Sequence, residues 1–374
     1  MDAKTIDAAR TRIDYLEILR FMLAFLTMAW HYYYFAPHAG VTHSMPVEFP
    51  GFRYASFTVE VFFIVSGFII IASAINRKPV DFLFGRIVRL GPCLVVCATI
   101  TLAVAMLSPR GVDLSDYLAS VLIFPLAFHD GMDWAYWSLR FEVIFYALIF
   151  VAACFVDIRR NVFRIALLLI AYDAIVLALL SIYDPAVGDL GDVSFALGEY
   201  ASFFAIGLLL YLLLVEKRRS WAIGLALLVA CVIAALRCHR IANIVSKLMH
   251  EPQVGIETGF AIFAVVLVVF VAFVRTERRP RVARLFARLG RTSYPLYLVH
   301  QNTGYSAIKL FENRLHLTID TRPFVMIAMV VLSWVIANHL EPVLASLYKK
   351  GLAGVSQFGR ATQVRLFGSK GTLP

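Results

Sequence analysis

The sequence is poor in charge. Of its 374 residues, 16% are Asp, Glu, Lys or Arg, and 60% are hydrophobic. Soluble domains carry charge on about a quarter of their residues, so this composition excludes an ordinary soluble enzyme. The chain also has few cysteines, and none of them has His or Cys partners at the spacing of metal ligands. Neither a disulfide framework nor a metal site is therefore expected. The five cysteines are Cys93, Cys97, Cys154, Cys231 and Cys238.

Long apolar stretches recur along the whole chain. Each approaches the length of about 20 residues that a helix needs to cross a bilayer. We therefore predict an all-α polytopic membrane protein with about ten transmembrane helices. A shorter apolar piece at 117–128 predicts a re-entrant or interfacial segment instead. The ten predicted spans are 16–35, 55–75, 87–107, 136–156, 162–182, 195–215, 221–238, 256–274, 293–311 and 323–344.

The N-terminal residues lead directly into the first apolar run, and no small-residue cleavage site follows it, which predicts a retained helix. The remaining chain has no room for a second folded domain. We predict a cytoplasmic N-terminal segment at 1–15, one transmembrane domain at 16–344 and a cytoplasmic tail at 345–374.

Positive charge alternates between successive loops. The N-terminus, every second loop and the C-terminal tail hold 25 Lys and Arg residues, whereas the alternate loops and Arg237 hold 7. Positive charge concentrates on the cytoplasmic side of membrane proteins, so both termini are predicted to be cytoplasmic. This distribution also accounts for the net charge of +10 without a nucleic-acid partner. It predicts contact with anionic membrane lipid.

Ionisable residues inside predicted spans form two groups. They are costly to bury in lipid and therefore indicate functional sites. The rise of about 1.5 Å per helical residue places His31, Glu60 and Glu142 at similar depth in the outer half. An imidazole beside a carboxylate is suited to general-base catalysis.

The second group lies at the cytoplasmic side. Arg86 and Arg89 are three residues apart and share a helix face near the level of Arg20. Guanidinium groups bind phosphate well. The same arginines would also fit a purely topological role as snorkelling residues. Similarly, Glu60 could be neutralised by Arg140, and His31 could simply bond to a neighbouring helix.

Five motifs resemble the acyltransferase-3 family of membrane acyltransferases. The first is an Arg and a His eleven residues apart, Arg20 and His31, which share one face of the first helix. The others are VEVFFIVSGF at 59–68, FLFGRIVRLGP at 82–92, WSLRFEVIFY at 137–146 and TSYPLYLVHQ at 292–301. The resemblance runs from about residue 12 to 345. Arg140 and Pro295 depart from the family pattern without removing a motif residue.

The resemblance implies a bacterial inner-membrane O-acyltransferase that uses cytoplasmic acyl-CoA, with acetyl-CoA expected first, and needs no metal. Its acceptor would be a carbohydrate or lipid-linked glycan, such as exopolysaccharide or O-antigen, on the periplasmic side. His31, oriented by Glu142, would be the catalytic base or carry the acyl group, with Arg20 on the same helix face. The donor would be held by Arg86, Arg89, Tyr297 and His300, and the substrate side would include Glu60 and Arg140.

Two other classes of protein fit parts of this pattern. A secondary transporter of an anionic substrate would explain the spans and the buried charges, although the two matching hydropathy halves of many transporters are not evident. A non-catalytic scaffold in a polysaccharide export complex would tolerate replacement of His31. The sequence also leaves open acetyl against succinyl or longer acyl groups, and direct transfer against an acyl-histidine intermediate.

Overall fold

The computed structural model describes residues 3–43, 45–46, 51–107, 114–122, 132–182, 197–275, 288–313 and 319–352. Every regular element in these ranges is helical, which confirms the all-α prediction. The helices are α1 (Ala3–Trp30), α2 (Thr58–Ala74), α3 (Pro79–Ala105), α4 (Leu114–Val121), α5 (Tyr136–Phe155), α6 (Ile158–Ile182), α7 (Ala201–Leu214), α8 (Trp221–Leu248), α9 (Ile256–Arg275), α10 (Ser293–Val299), α11 (Asn302–Asn313) and α12 (Arg322–Val335).

Seven helices within the described ranges are long and apolar enough to cross a membrane. The predicted count of ten is therefore confirmed only in part, and the orientation of the termini stays a prediction. At three places the helices differ in extent from the predicted spans. The first helix already begins at Ala3, and α8 continues through 239–248, which had been assigned to a loop. The ninth predicted span, 293–311, is two short helices, α10 and α11.

The short helix α7 forms the centre of the bundle. All residues from Ala201 to Leu212 are buried. With 14 residues, α7 spans about 21 Å, less than the hydrocarbon thickness of about 30 Å. It needs no full-length lipid contact because α2, α6 and α8 pack around it.

Two glycines set the distance between α2 and α7. A methyl group added at Gly67 would overlap the backbone carbonyl of Phe204, and one at Gly207 would overlap that of Ile64. Small residues of this kind allow two helix backbones to approach closely in a membrane protein. The close contact fixes α2, and with it the motif 59–68, against the central helix.

A charged network joins α6, α7 and α8 inside the bundle. Arg237, which is fully buried, donates to Asp173 at 2.6 and 2.8 Å and to Glu199 at 3.0 Å. The second oxygen of Asp173 accepts the Ser202 backbone N–H at 2.8 Å. Because these charges are mutually satisfied, they hold the three elements together and leave no reactive group.

Candidate active site

Two histidines from opposite ends of the chain form a pair. His31 begins the π-helical turn His31–Phe35 that follows α1, and His300 lies in the break between α10 and α11. His31 Nδ1 lies 3.0 Å from His300 Nε2, and the ring centroids are 4.9 Å apart. His31 Nδ1 also lies 3.0 Å from the Thr27 carbonyl oxygen. The sequence had placed His300 at the opposite, donor-binding side, so its position beside His31 is a correction.

The helix break at His300 is fixed from both directions. The Tyr32 hydroxyl donates to the His300 carbonyl oxygen at 2.5 Å. On the other side, Asp133 accepts the backbone N–H groups of Asn302 and Ala135, each at 2.9 Å. These bonds satisfy backbone groups that the interrupted helix leaves free. They therefore hold the His300 ring in place against His31.

Asp133, which anchors this break, is fully buried. It lies ahead of α5 and outside the seven candidate spans. Burial raises the pKa of Asp133 to about 7, although the N–H groups of Asn302 and Ala135 lower it. The residue thus combines a structural cap with a carboxyl group that titrates near neutral pH.

A cavity containing about 450 Å³ of empty space, its open mouth included, lies among α1, α2, α5 and α10. Three predicted site residues line it, namely Arg20, Glu142 and Tyr297. Most of the wall is apolar, with three serine hydroxyls set into it. The remaining lining residues are Val59, Phe62, Phe63, Ser66, Ser138, Leu139, Ser293 and Tyr294. Such a cavity suits a slender, largely apolar ligand with a few hydrogen-bonding groups.

Glu142 lies at the wall of this cavity. It accepts hydrogen bonds from Ser66 at 2.8 Å and from the hydroxyl of Tyr146. We expected Glu142 to orient His31. The hydrogen bonds of His31 instead go to Thr27 and His300. Equal depth along two helices does not make two side chains neighbours, since each must also point in the right direction around its axis.

The two predicted phosphate-binding arginines differ in their surroundings. The Arg86 guanidinium lies 5.8 Å from the Phe82 ring and 5.9 Å from the Tyr146 ring, and its buried Nε has no hydrogen-bond partner among the described residues. Arg89 instead approaches the carboxylates of Glu17 at 4.0 Å and Glu341 at 3.8 Å. Arg89 therefore faces carboxylates, whereas the described neighbours of the Arg86 guanidinium are aromatic rings.

The two substrate-side candidates lie apart from the cavity wall. Glu60 is buried, and its Oε2 has no hydrogen-bond partner in the described part of the chain. The Arg140 guanidinium lies 5.1 Å from the Phe141 ring. In the described part of the chain, Glu60 and Arg140 do not form the ion pair that the sequence allowed for.

Several residues of the site were quoted within motifs but received no role from the sequence. Ser66 and Tyr146 bind Glu142, and Ser138 bonds to the Tyr297 hydroxyl at 2.7 Å. The presence of Ser66, Ser138 and Tyr146 in the motifs 59–68 and 137–146 was the available signal. Tyr32 lies outside the motifs, in a run of three tyrosines, so the sequence offered no signal for its contact with His300.

The fold and the site define a multi-pass helical membrane protein with a histidine pair that is linked through Tyr297 to a partly polar cavity. Residues 13–338 match the model of the acyltransferase-3 family, described as an acyltransferase domain. The chain therefore belongs to the acyltransferase-3 family, as its five motifs predicted. No curated protein and no solved structure matches the chain. Among the described residues there is no cluster of His, Cys, Asp or Glu that would hold a metal ion.

Proposed function

We propose that this protein transfers an acyl group, acetyl first among the candidates, from cytoplasmic acyl-CoA to a hydroxyl of a carbohydrate or lipid-linked glycan at the periplasmic side of a bacterial inner membrane. The observation that carries the proposal is the His31–His300 pair beside a cavity, in a chain of an acyltransferase family. Positive-inside charge supports the orientation.

The groups that line the cavity would suit an acyl-CoA donor. Arg86, whose described neighbours are aromatic rings and not carboxylates, would contact CoA phosphate, and Arg20 lies in the wall of the cavity itself. The pantetheine arm is slender and carries amide groups, which match an apolar wall with the hydroxyls of Ser66, Ser138 and Ser293. The thioester would then approach the end of the cavity marked by Tyr297, whose backbone carbonyl bonds to His300.

His31 would perform the proton transfer. It takes the proton of the acceptor hydroxyl as the oxygen attacks the thioester carbonyl, and the C–S bond then breaks. The proton passes to the departing thiolate, giving CoA thiol and the ester. The Tyr297 hydroxyl is the candidate donor to the developing oxyanion. In the alternative route, His31 attacks the thioester first, the C–S bond breaks with CoA leaving as the thiolate, and an acyl-histidine forms. The acceptor hydroxyl then takes the acyl group from His31, and its proton passes to the thiolate.

The test compares inverted membrane vesicles from a deletion strain that carries the wild-type protein, His31→Gln or His43→Gln. His43 is exposed and serves as the matched control. With labelled acetyl-CoA, wild-type and control vesicles should acylate surface glycan, detected by mass spectrometry, and His31→Gln should lose at least about 100-fold in rate. Label that stays on wild-type protein and is released by hydroxylamine would select the acyl-histidine route. Full activity of a stably inserted His31→Gln protein would refute the catalytic role.

A transporter remains the second candidate because α10 and α11 form a broken helix, as in many secondary transporters. The two functions differ in the fate of the thioester. A transporter would move an anionic substrate across vesicles without consuming acetyl-CoA, whereas a transferase releases CoA thiol in proportion to the ester formed. Measuring free thiol and glycan ester in the same vesicles separates them.

A further inference from the structure

The hydrogen-bonding of the histidine pair can be assigned completely. His300 Nδ1 lies 2.9 Å from the Tyr297 carbonyl oxygen, which can only accept. His300 Nδ1 must therefore carry a hydrogen. A neutral imidazole carries one N–H, so His300 Nε2 is left as an acceptor.

This assignment determines the state of His31. Its Nδ1 faces two acceptors, His300 Nε2 and the Thr27 carbonyl oxygen, each at 3.0 Å. Nδ1 must then be the protonated nitrogen of His31, and its Nε2 keeps the lone pair. With both rings neutral, no other choice of tautomers satisfies all three contacts.

We infer that His300 is a positioning residue that, together with the Thr27 carbonyl oxygen, fixes His31 in the Nδ1–H tautomer and so makes His31 Nε2 the basic or nucleophilic atom. The inference rests on the proposed function. When His31 Nε2 takes up the hydroxyl proton, the Nδ1–H···Nε2 bond becomes charge-assisted and strengthens. His300 thus does for His31 what a carboxylate does for the histidine of a serine hydrolase.

A neutral partner suits this location. A second ionised group beside His31 would have to be removed from water, at a cost of several kcal/mol per ion in a protein interior. His300 is fully buried, and its backbone is held by Tyr32 and, through Asn302, by Asp133. The ring therefore needs no ion pair to stay in position.

The kinetic test uses purified protein and measures kcat and donor KM separately. His300→Phe keeps a ring but removes the acceptor, and we expect kcat to fall by about 100-fold or more while donor KM changes less than about twofold. His300→Gln retains an acceptor oxygen and should keep a larger share of kcat. His43→Phe is the exposed control. The His300→Ala protein, which has a cavity in place of the imidazole ring, should recover activity when imidazole is added.

The second measurement does not depend on turnover. Nitrogen-15 NMR of histidine-labelled wild-type protein, assigned by comparison with His31→Gln, should show His31 protonated at Nδ1. In His300→Phe only the Thr27 carbonyl oxygen is left to accept from Nδ1, so the His31 signal should show a smaller fraction of the Nδ1–H form. A wild-type His31 protonated at Nε2, or a His300→Phe protein with unchanged kcat, would overturn the inference. If the wild-type protein transfers no acyl group, the proposed function fails, and the NMR result still decides the tautomer.

Discussion

At the scale of single residues, Arg86 and Arg89 share a motif and a helix face but not an environment. Arg89 is balanced by two carboxylates, whereas the described contacts of Arg86 are aromatic rings and leave its Nε unpaired. A guanidinium that has no fixed partner is the better candidate for a phosphate ligand.

We therefore expect Arg86→Ala to raise the KM for acyl-CoA by about tenfold, the loss of roughly one charge-assisted hydrogen bond, with little change in the KM for the acceptor. Arg89→Ala should have a smaller effect on the donor, and Arg86→Lys should recover only part because lysine cannot bind phosphate in a fork. Arg160→Ala is the control, since its side chain is 85% exposed. Equal donor KM values in wild type and Arg86→Ala would show that Arg86 does not bind the donor and has only a topological role.

The buried carboxyl group of Asp133 predicts that the stability of the protein depends on pH. Its pKa is raised to about 7 in the folded protein, mainly by burial, whereas an unfolded Asp titrates near about 4. Folding therefore disfavours the ionised form of Asp133. The neutral form contributes its whole stabilisation below about pH 4, and this contribution is lost as pH rises through 7. The thermal midpoint of wild type in detergent should fall relative to that of Asp133→Asn between pH 4.5 and 8. A pH-independent difference would contradict this assignment.

At the scale of helices, the contact between α2 and α7 depends on having no side chain at Gly67 and Gly207. Since the atoms that a methyl group would meet belong to the backbone, a rotamer change cannot relieve the overlap. Moving α2 would displace Ser66, and with it the hydrogen bond to Glu142 in the cavity wall.

Gly67→Ala should thus destabilise the protein by about 1–3 kcal/mol, the usual cost of overpacking a core. Both the thermal midpoint in detergent and the acyl-transfer rate should drop. Gly224→Ala is a matched control, because it lies in the helix α8 with nothing within 4 Å of the added methyl group. It should be neutral or slightly stabilising, as alanine favours helix over glycine. Equal thermal midpoints for the two variants would show that α2 and α7 are not held at this distance.

At the scale of the whole molecule, the two-sided reaction requires a definite orientation in the membrane. The alternation of Lys and Arg predicts that reporters at 216–220 and at the C-terminus lie in the cytoplasm, and that one inserted after Leu122 lies in the periplasm. Fusions to alkaline phosphatase and to a fluorescent protein give opposite readouts on the two sides. A reversed result at any of the three positions would rule out the proposed placement of donor and acceptor.

The sequence by itself determined the class of this protein and much of its local structure. Low charge and repeated apolar runs require a membrane environment, because such segments would not stay soluble. Local spacing also predicted Arg20 and His31 on one face of the first span, and Arg86 and Arg89 on one face of α3, because side-chain direction along a helix follows from its period. The five motifs identified the family that the chain was then shown to match.

Only the tertiary structure decided which side chains meet. His31 and His300 are 269 residues apart, and no local rule connects them. Their contact depends on an interruption of the predicted ninth span, which Tyr32 and Asp133 stabilise from other parts of the chain. Glu142, expected beside His31 from its depth, bonds to Ser66 and Tyr146 instead. Hydrophobic periodicity specifies depth and the buried face, whereas the partner of a polar group is set by the rotation, tilt and breaks of helices packed together.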